Sequence, residues 1–217
     1  SEYIETQQKS AVLYRKNPQF DLITTGKVEQ GRLTFQDQHL KRLREAARYF
    51  AYPFDEEKLK AELNQTLAEL DPSMDYRLRI SIAKSGKVTC QLEKLQALPE
   101  AFCKAILVPQ NANLQQPFTF FKTSYRPHLS LGQQEQIYYD AHGQLLESSI
   151  GNLVLQLDGH LYTPPIELGL LNGIYRQHLL ATGQATEKIL SLDDLTSAEK
   201  IYACNALRGL YELEIDD

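Results

Sequence analysis

The chain has 217 residues, 42% hydrophobic and 24% charged, with a formal net charge of −5. That length carries one large domain or two small ones around a sizeable core, and the composition is ordinary for a soluble globular protein. The acidic balance argues against a nucleic-acid partner, because it implies no basic face, but it leaves room for an anionic ligand held by a few placed arginines.

In chain order, SAVLYRK (10–16) and FDLITTGKV (20–28) read as strands, and VEQGRLTF as a hairpin turning at Gly31. DQHLKRLREAARYFAY follows with Leu40, Leu43, Ala47 and Phe50 at helical spacing, and Pro53 is expected to end that helix. Asp55 is the expected N-cap of a second helix, with Leu59, Leu63, Leu67 and Leu70 along one face. YRLRISIA (76–83) and KVTCQL (87–92) form a hairpin around Ser85-Gly86, and the polar link EKLQALPE then divides the chain into domains 1–94 and 95–217.

The second half opens with the strand KAILVP and a loop bearing Lys122. A hairpin then turns at His142-Gly143, and strands NLVLQL and HLYTP flank a turn at Asp158-Gly159. A helix is predicted to start near Asn172-Gly173 and to end at Gly183. A strand near TEKILS, a short helix near LDDLTSA and a strand KIYACNAL complete the chain. Strands and helices mix without strict alternation, which predicts an α+β fold.

No apolar run approaches the length of a membrane span, and SEYIETQQKS has no basic-then-apolar signal pattern. Cys90, Cys103 and Cys204 are widely spaced and form no CxxC pair, and the five histidines show no HExxH spacing. The expectation is therefore a reduced, cytoplasmic protein with free thiols and no metal site.

Four segments carry chemical potential. In TFFKTSYRP, Lys122 follows Phe120 and Phe121. A lysine often lays its stem on aromatics and keeps its head in water, but one held against apolar surface has a lowered pKa, and the neutral amine is a nucleophile and a base. In LLESSIGNLVL, Glu147 ends a strand before a turn of small residues. In LNGIYRQHLL, a glycine before a helix start leaves the first N–H groups, those of Ile174 and Tyr175, open to an anion. In HLKRLREAARYF, Arg42 and Arg44 flank the apolar stripe, and one of them can lean toward a phosphate. Arg77 and Arg79 share one strand face by alternation, which suits either a carboxylate ligand or a wet surface. Each feature alone is as well explained by solvation or an ordinary turn. Together they are the parts a pyridoxal phosphate enzyme needs.

The order and spelling resemble the fold-type IV pyridoxal-phosphate enzymes, which include branched-chain and D-amino-acid aminotransferases and aminodeoxychorismate lyase. HLKRL looks like the family's phosphate-arginine helix, FKTSYR its lysine loop, ESSIGNLVLQLDGHLYTPP its glutamate strand-turn-strand and LNGIYRQ its phosphate-binding helix start. The resemblance implies pyridoxal 5'-phosphate as cofactor and a two-domain fold of the D-amino-acid aminotransferase type. Lys122 would bind the cofactor aldehyde covalently and Glu147 would pair with the ring nitrogen. Arg42 and the N–H groups of Ile174 and Tyr175 would hold the phosphate, with Asn205 and Ala206 near the phosphate or substrate side. Thr25, Arg79 and Arg126 are the candidates for contact with a small-molecule amine substrate.

Within the family, Thr24-Thr25, KTSYR, NGIYRQ and CNAL look like the lyase branch. Pro127 stands where aminotransferases tend to have a tyrosine, and CNAL where they tend to be rich in Ser and Thr. The implied reaction is conversion of 4-amino-4-deoxychorismate to 4-aminobenzoate and pyruvate, a step of folate biosynthesis, in a homodimer. The alternatives are transamination of branched-chain or D-amino acids, and cofactor binding without turnover. The match starts close to the first residue, so a shortened N-terminus with a rebuilt active-site edge is expected.

Overall fold

The computed structural model describes residues 18–110, 117–130 and 132–216. The strand expected at 10–16 lies outside the described residues. Strands β1 (Leu22–Glu29) and β2 (Arg32–Leu33) form the first hairpin. Its turn has Gln30 and Gly31 at positive φ, which glycine adopts freely. Helix α1 (Gln36–Phe50) buries Leu40, Leu43, Ala46 and Ala47 on one face. It does not run to Pro53 but ends when Ala51 enters the left-handed region at φ 53° and its N–H returns to the Ala47 carbonyl. Helix α2 (Glu56–Leu67) starts as expected, with the Asp55 carboxylate accepting from Lys58 N–H at 3.0 Å.

Strands β3 (Tyr76–Ile82) and β4 (Val88–Lys94) complete a four-stranded antiparallel sheet in the order β2-β1-β3-β4. In β3, Tyr76, Leu78, Ile80 and Ile82 point into the core, while Arg77, Arg79 and Ser81 share the opposite, partly exposed face. The buried leucines of α1 and α2 pack with these β3 residues into one cluster.

The second sheet has eight strands: β5 (Lys104–Pro109), β6 (Glu135–Tyr139), β7 (Leu145–Ser148), β8 (Asn152–Leu157), β9 (His160–Thr163), β10 (Ala185–Glu187), β11 (Lys200–Asn205) and β12 (Gly209–Ile215). Helices α3 (Ile174–Ala181) and α4 (Leu192–Ser197) accompany it, the latter opened by a Ser191/Asp194 capping box. The order is β10-β9-β8-β11-β12-β5-β6-β7. A further pairing of β7 with β8 through Glu147 and Asn152 closes six of these strands into a ring.

Two differences from the sequence reading stand out. The strand near TEKILS stops at Glu187, and only Ser191 continues it, as an isolated bridge to Gln144. The C-terminal strand β12, unread in the sequence, joins β11 antiparallel to β5 parallel, and without it the ring would be open.

Candidate functional site

Lys122 is held by backbone pinned to β1. Ile23 N–H donates to the Lys122 carbonyl at 3.0 Å and Ser124 N–H to the Asp21 carbonyl at 2.8 Å, while Leu22 and Thr123 form an isolated bridge. Thr123 is fully buried, and its hydroxyl donates to the Tyr125 carbonyl at 2.7 Å. Phe121 packs its ring on Tyr49 and Phe50 of α1, with centroids 4.6 and 5.3 Å apart. The aromatic beside the lysine therefore anchors the loop, and Lys122 lines a pocket.

That pocket is small and partly open to solvent. Lys122 and Arg126 come to it from the loop, Glu147 from β7, Thr25 from β1 and Arg42 from α1. Gly173 and Ile174 at the start of α3, and Asn205 and Ala206 at the end of β11, complete the site. Two expected residues do not line it. Tyr175 turns its ring toward Phe35 and His178. Arg79 pairs across β1–β3 with Thr25 and reaches the site only through its charge on Lys122.

The charges are unequal. Burial holds the Lys122 amine down to about 7, helped by Arg42, Arg126 and Arg79 and opposed by Glu147. A substantial fraction of the amine is therefore neutral near pH 7. Glu147 is buried, and that burial pushes its carboxyl up to about 7, against Arg126, the Leu171 backbone and Lys122. Arg126 Nη2 lies 3.9 Å from Glu147 Oε2. A lysine and a carboxyl both poised near neutrality in one cleft mark a site for proton chemistry.

The other end of the pocket suits an anion. Arg42 Nη2 donates to the Asn172 carbonyl at 2.8 Å, tying α1 to the turn before α3. No side chain caps α3, so the N–H groups of Ile174 and Tyr175 remain open with the helix dipole behind them. Gly173 is required here, since a Cβ would stand 1.9 Å from Asn152 Oδ1. Asn205 lines the pocket, but its side chain is engaged by its own turn: Oδ1 accepts from Leu207 and Arg208 N–H at 3.0 and 2.9 Å. The Ala206 carbonyl accepts from Lys27 N–H at 3.4 Å.

The family model described as "Amino-transferase class IV" matches residues 21–213. The chain belongs to this family. Class IV members are pyridoxal-phosphate enzymes, aminotransferases and aminodeoxychorismate lyases among them. A relative in Schizosaccharomyces pombe, named "Putative aminodeoxychorismate lyase", is 27% identical over 193 residues and covers 82% of each chain. The fold resembles the structure of a "Putative amino-acid aminotransferase" from Mesorhizobium loti with a TM-score of 0.79 and 29% identity, covering 91% of this chain and 100% of that one. It also resembles 4-amino-4-deoxychorismate lyase from Pseudomonas aeruginosa with a TM-score of 0.66 and 22% identity, covering 90% and 82%.

The pocket of this class IV chain fits the family's cofactor by its own geometry. An amine depressed toward neutrality, a buried carboxylate and an uncapped helix start beside an arginine would supply one partner each for the aldehyde, the ring nitrogen and the phosphate.

Two buried residues behind the pocket escaped the sequence reading. His39 is fully buried, with Nδ1 2.6 Å from Thr24 Oγ1 and Nε2 2.5 Å from where a Cβ on Gly26 would stand. Burial, Arg42 and Lys122 lower its pKa to about 3, so it stays neutral. Glu135 is fully buried too, and its Oε1 accepts from Ser149 Oγ at 2.8 Å and Ile150 N–H at 2.9 Å, fixing the turn that follows Glu147. The available signals were a histidine one helical turn before Arg42 and an acid opening a fully buried strand.

Proposed function

We propose that the chain is a pyridoxal-phosphate-dependent lyase that converts 4-amino-4-deoxychorismate to 4-aminobenzoate and pyruvate. The observation that carries this reading is the pocket's charge: Lys122 and Glu147 face each other among Arg42, Arg126 and the nearby Arg79. One cation serves a phosphate, and the surplus suits a substrate that carries carboxylates. The Schizosaccharomyces pombe relative named "Putative aminodeoxychorismate lyase", and Pro127 where a transaminase-type tyrosine is expected, support the lyase over the transaminase.

In this reading Arg42 and the N–H groups of Ile174 and Tyr175 hold the cofactor phosphate, Glu147 faces the ring nitrogen and Lys122 carries the cofactor. Asn205 and Ala206 shape the wall beside the phosphate. Thr25 orients the substrate, Arg79 adds positive charge from outside the pocket lining, and Arg126 stands between substrate and Glu147. When bound, the cofactor supplies an electron sink for charge released at the amine-bearing carbon. Lys122, freed by the incoming amine, takes the proton from that carbon and can deliver it to the departing three-carbon group, which leaves as pyruvate. The buried walls keep water from these transfers.

Division into two domains at residues 94 and 95, a homodimer and a cytoplasmic location belong to the same proposal. The test is coupled detection of pyruvate from aminodeoxychorismate, set beside glutamate formation from amino acids with 2-oxoglutarate. Brisk transamination of a branched-chain or D-amino acid without pyruvate release would make the protein an aminotransferase. Tight cofactor binding with neither product would leave a cofactor-binding protein.

A further inference from the structure

Among the described residues, Glu147 is the only carboxylate in the pocket lining, yet its side chain is 4% exposed. A buried carboxylate without a counter-charge takes up a proton instead of staying ionised. A protonated Glu147 could donate a hydrogen bond but could not stabilise a positively charged ring nitrogen. Something in the protein must therefore answer the charge. We infer that Arg126, on the lysine loop, is the residue that chiefly opposes protonation of Glu147.

The geometry leaves little competition. Among the described residues, Arg126 is the only cation within ion-pair distance of Glu147, at 3.9 Å. Lys122 shares the pocket, but its amine is itself close to neutral and supplies only part of a charge. Arg42 is committed to the Asn172 carbonyl at 2.8 Å, and Arg79 lies off the pocket on β3. From the loop before α3, the Leu171 backbone is the remaining group that favours the carboxylate.

The groups around Arg126 do not divert it. His128, two residues on, is held neutral by burial and by Arg126 itself, and Tyr138 of β6 spends its hydroxyl on Gln136 Oε1 at 2.6 Å. Arg126 Nε is buried and has no hydrogen-bond partner. An arginine buried for solvation alone would not leave that atom unanswered, so the side chain is placed for its charge. Arg126 and Lys122 ride on the same loop, which is pinned to β1. The counter-charge and the amine thus arrive at Glu147 together.

The inference shares the pocket of the proposed function, but the ionisation is measured without cofactor or substrate, so the two fail independently. The experiment follows the carboxyl of Glu147 by carbon NMR in cofactor-free protein labelled at glutamate, with the signal assigned by its loss in Glu147→Gln. In Arg126→Gln the carboxyl should titrate about one to three pH units higher than in wild type, the range expected for an opposite charge this close. Arg126→Lys should bring it most of the way back. The absorbance of bound pyridoxal phosphate should follow the same order across a pH series.

If Arg126→Gln does not fold at neutral pH, the double variant Arg126→Gln/Glu147→Gln should fold, because it also removes the charge left unanswered. An unchanged Glu147 titration in Arg126→Gln would overturn the inference. So would a double variant no better folded than the single one. An unchanged titration with a raised KM for a carboxylate-bearing amine would make Arg126 a substrate contact instead.

Discussion

Glu147 and Asn152 are the registered pair through which β7 meets β8 and closes the six-stranded ring. Asn152 extends the link: its Nδ2 donates to the Leu171 carbonyl at 2.8 Å, and its Oδ1 fills the space beside Gly173. One cross-strand pair therefore positions the carboxylate on one side and the open helix start on the other. Closure of the ring and assembly of the site are the same structural event.

Lys122 should be the lysine that carries the cofactor. Protein incubated with pyridoxal phosphate should turn yellow, and borohydride reduction followed by peptide mapping should place the label on Lys122. A label on another lysine would remove it from its role.

Glu147→Gln should retain the cofactor and slow turnover sharply, because an amide cannot hold positive charge on the ring nitrogen. Steady-state rates at saturating cofactor test this. Turnover equal to wild type would reduce Glu147 to a strand-edge carboxyl.

Arg42→Ala should weaken cofactor binding by about 1.5–3 kcal/mol, the loss typical of a hydrogen bond to a charged group, which is about 10- to 150-fold in affinity. Part of that loss will come from the turn at Asn172, which Arg42 also holds. Equilibrium titration measures the affinity, and the rate of the saturated variant should fall less than its affinity does.

Gly173→Ala should damage the anion end. Its Cβ would meet Asn152 Oδ1 at 1.9 Å, so the turn or the asparagine must move. Cofactor affinity should fall at least tenfold, and Gly173→Ala/Asn152→Ala should recover part of it. Affinity unchanged in Gly173→Ala would mean the helix start holds no phosphate.

The part of the cofactor-free protein's stability that Glu147 and Lys122 contribute should pass through a minimum near pH 7, set against His39 and His128, whose lowered pKa values remove stability as pH falls below 6.5. Glu147 is raised from 4.5 to about 7, so its contribution is fully present below 4.5 and lost as pH rises through 7. Lys122 is lowered from 10.5 to about 7, so its contribution is present above 10.5 and lost as pH falls through 7. Chemical denaturation from pH 4.5 to 10 checks this. Glu147→Gln should flatten the acidic limb and Lys122→Met the alkaline one.

The local chemistry of this protein was legible in its sequence. Helical spacing placed Leu40, Leu43 and Ala47 on the buried face of α1, Asp55 marked the start of α2, and the order of four short segments selected the family and the residues of the pocket. These features depend on neighbours a few residues away, and the sequence states those directly. The end of α1 at Ala51 was not legible, because a left-handed alanine is chosen by the packing that follows it and not by its own preference.

Only the tertiary structure decided how the parts act on one another. β12 pairs with β11, its neighbour in the chain, and with β5, the first strand of the large sheet, so its place depends on a partner that chain order does not reveal. The burial of Glu135 and His39, and the 3.9 Å approach of Arg126 to Glu147, depend on the same long-range closure. The sequence determined which ionisable groups the site contains. The fold decided their protonation, because desolvation and charge–charge distance exist only once the ring has closed.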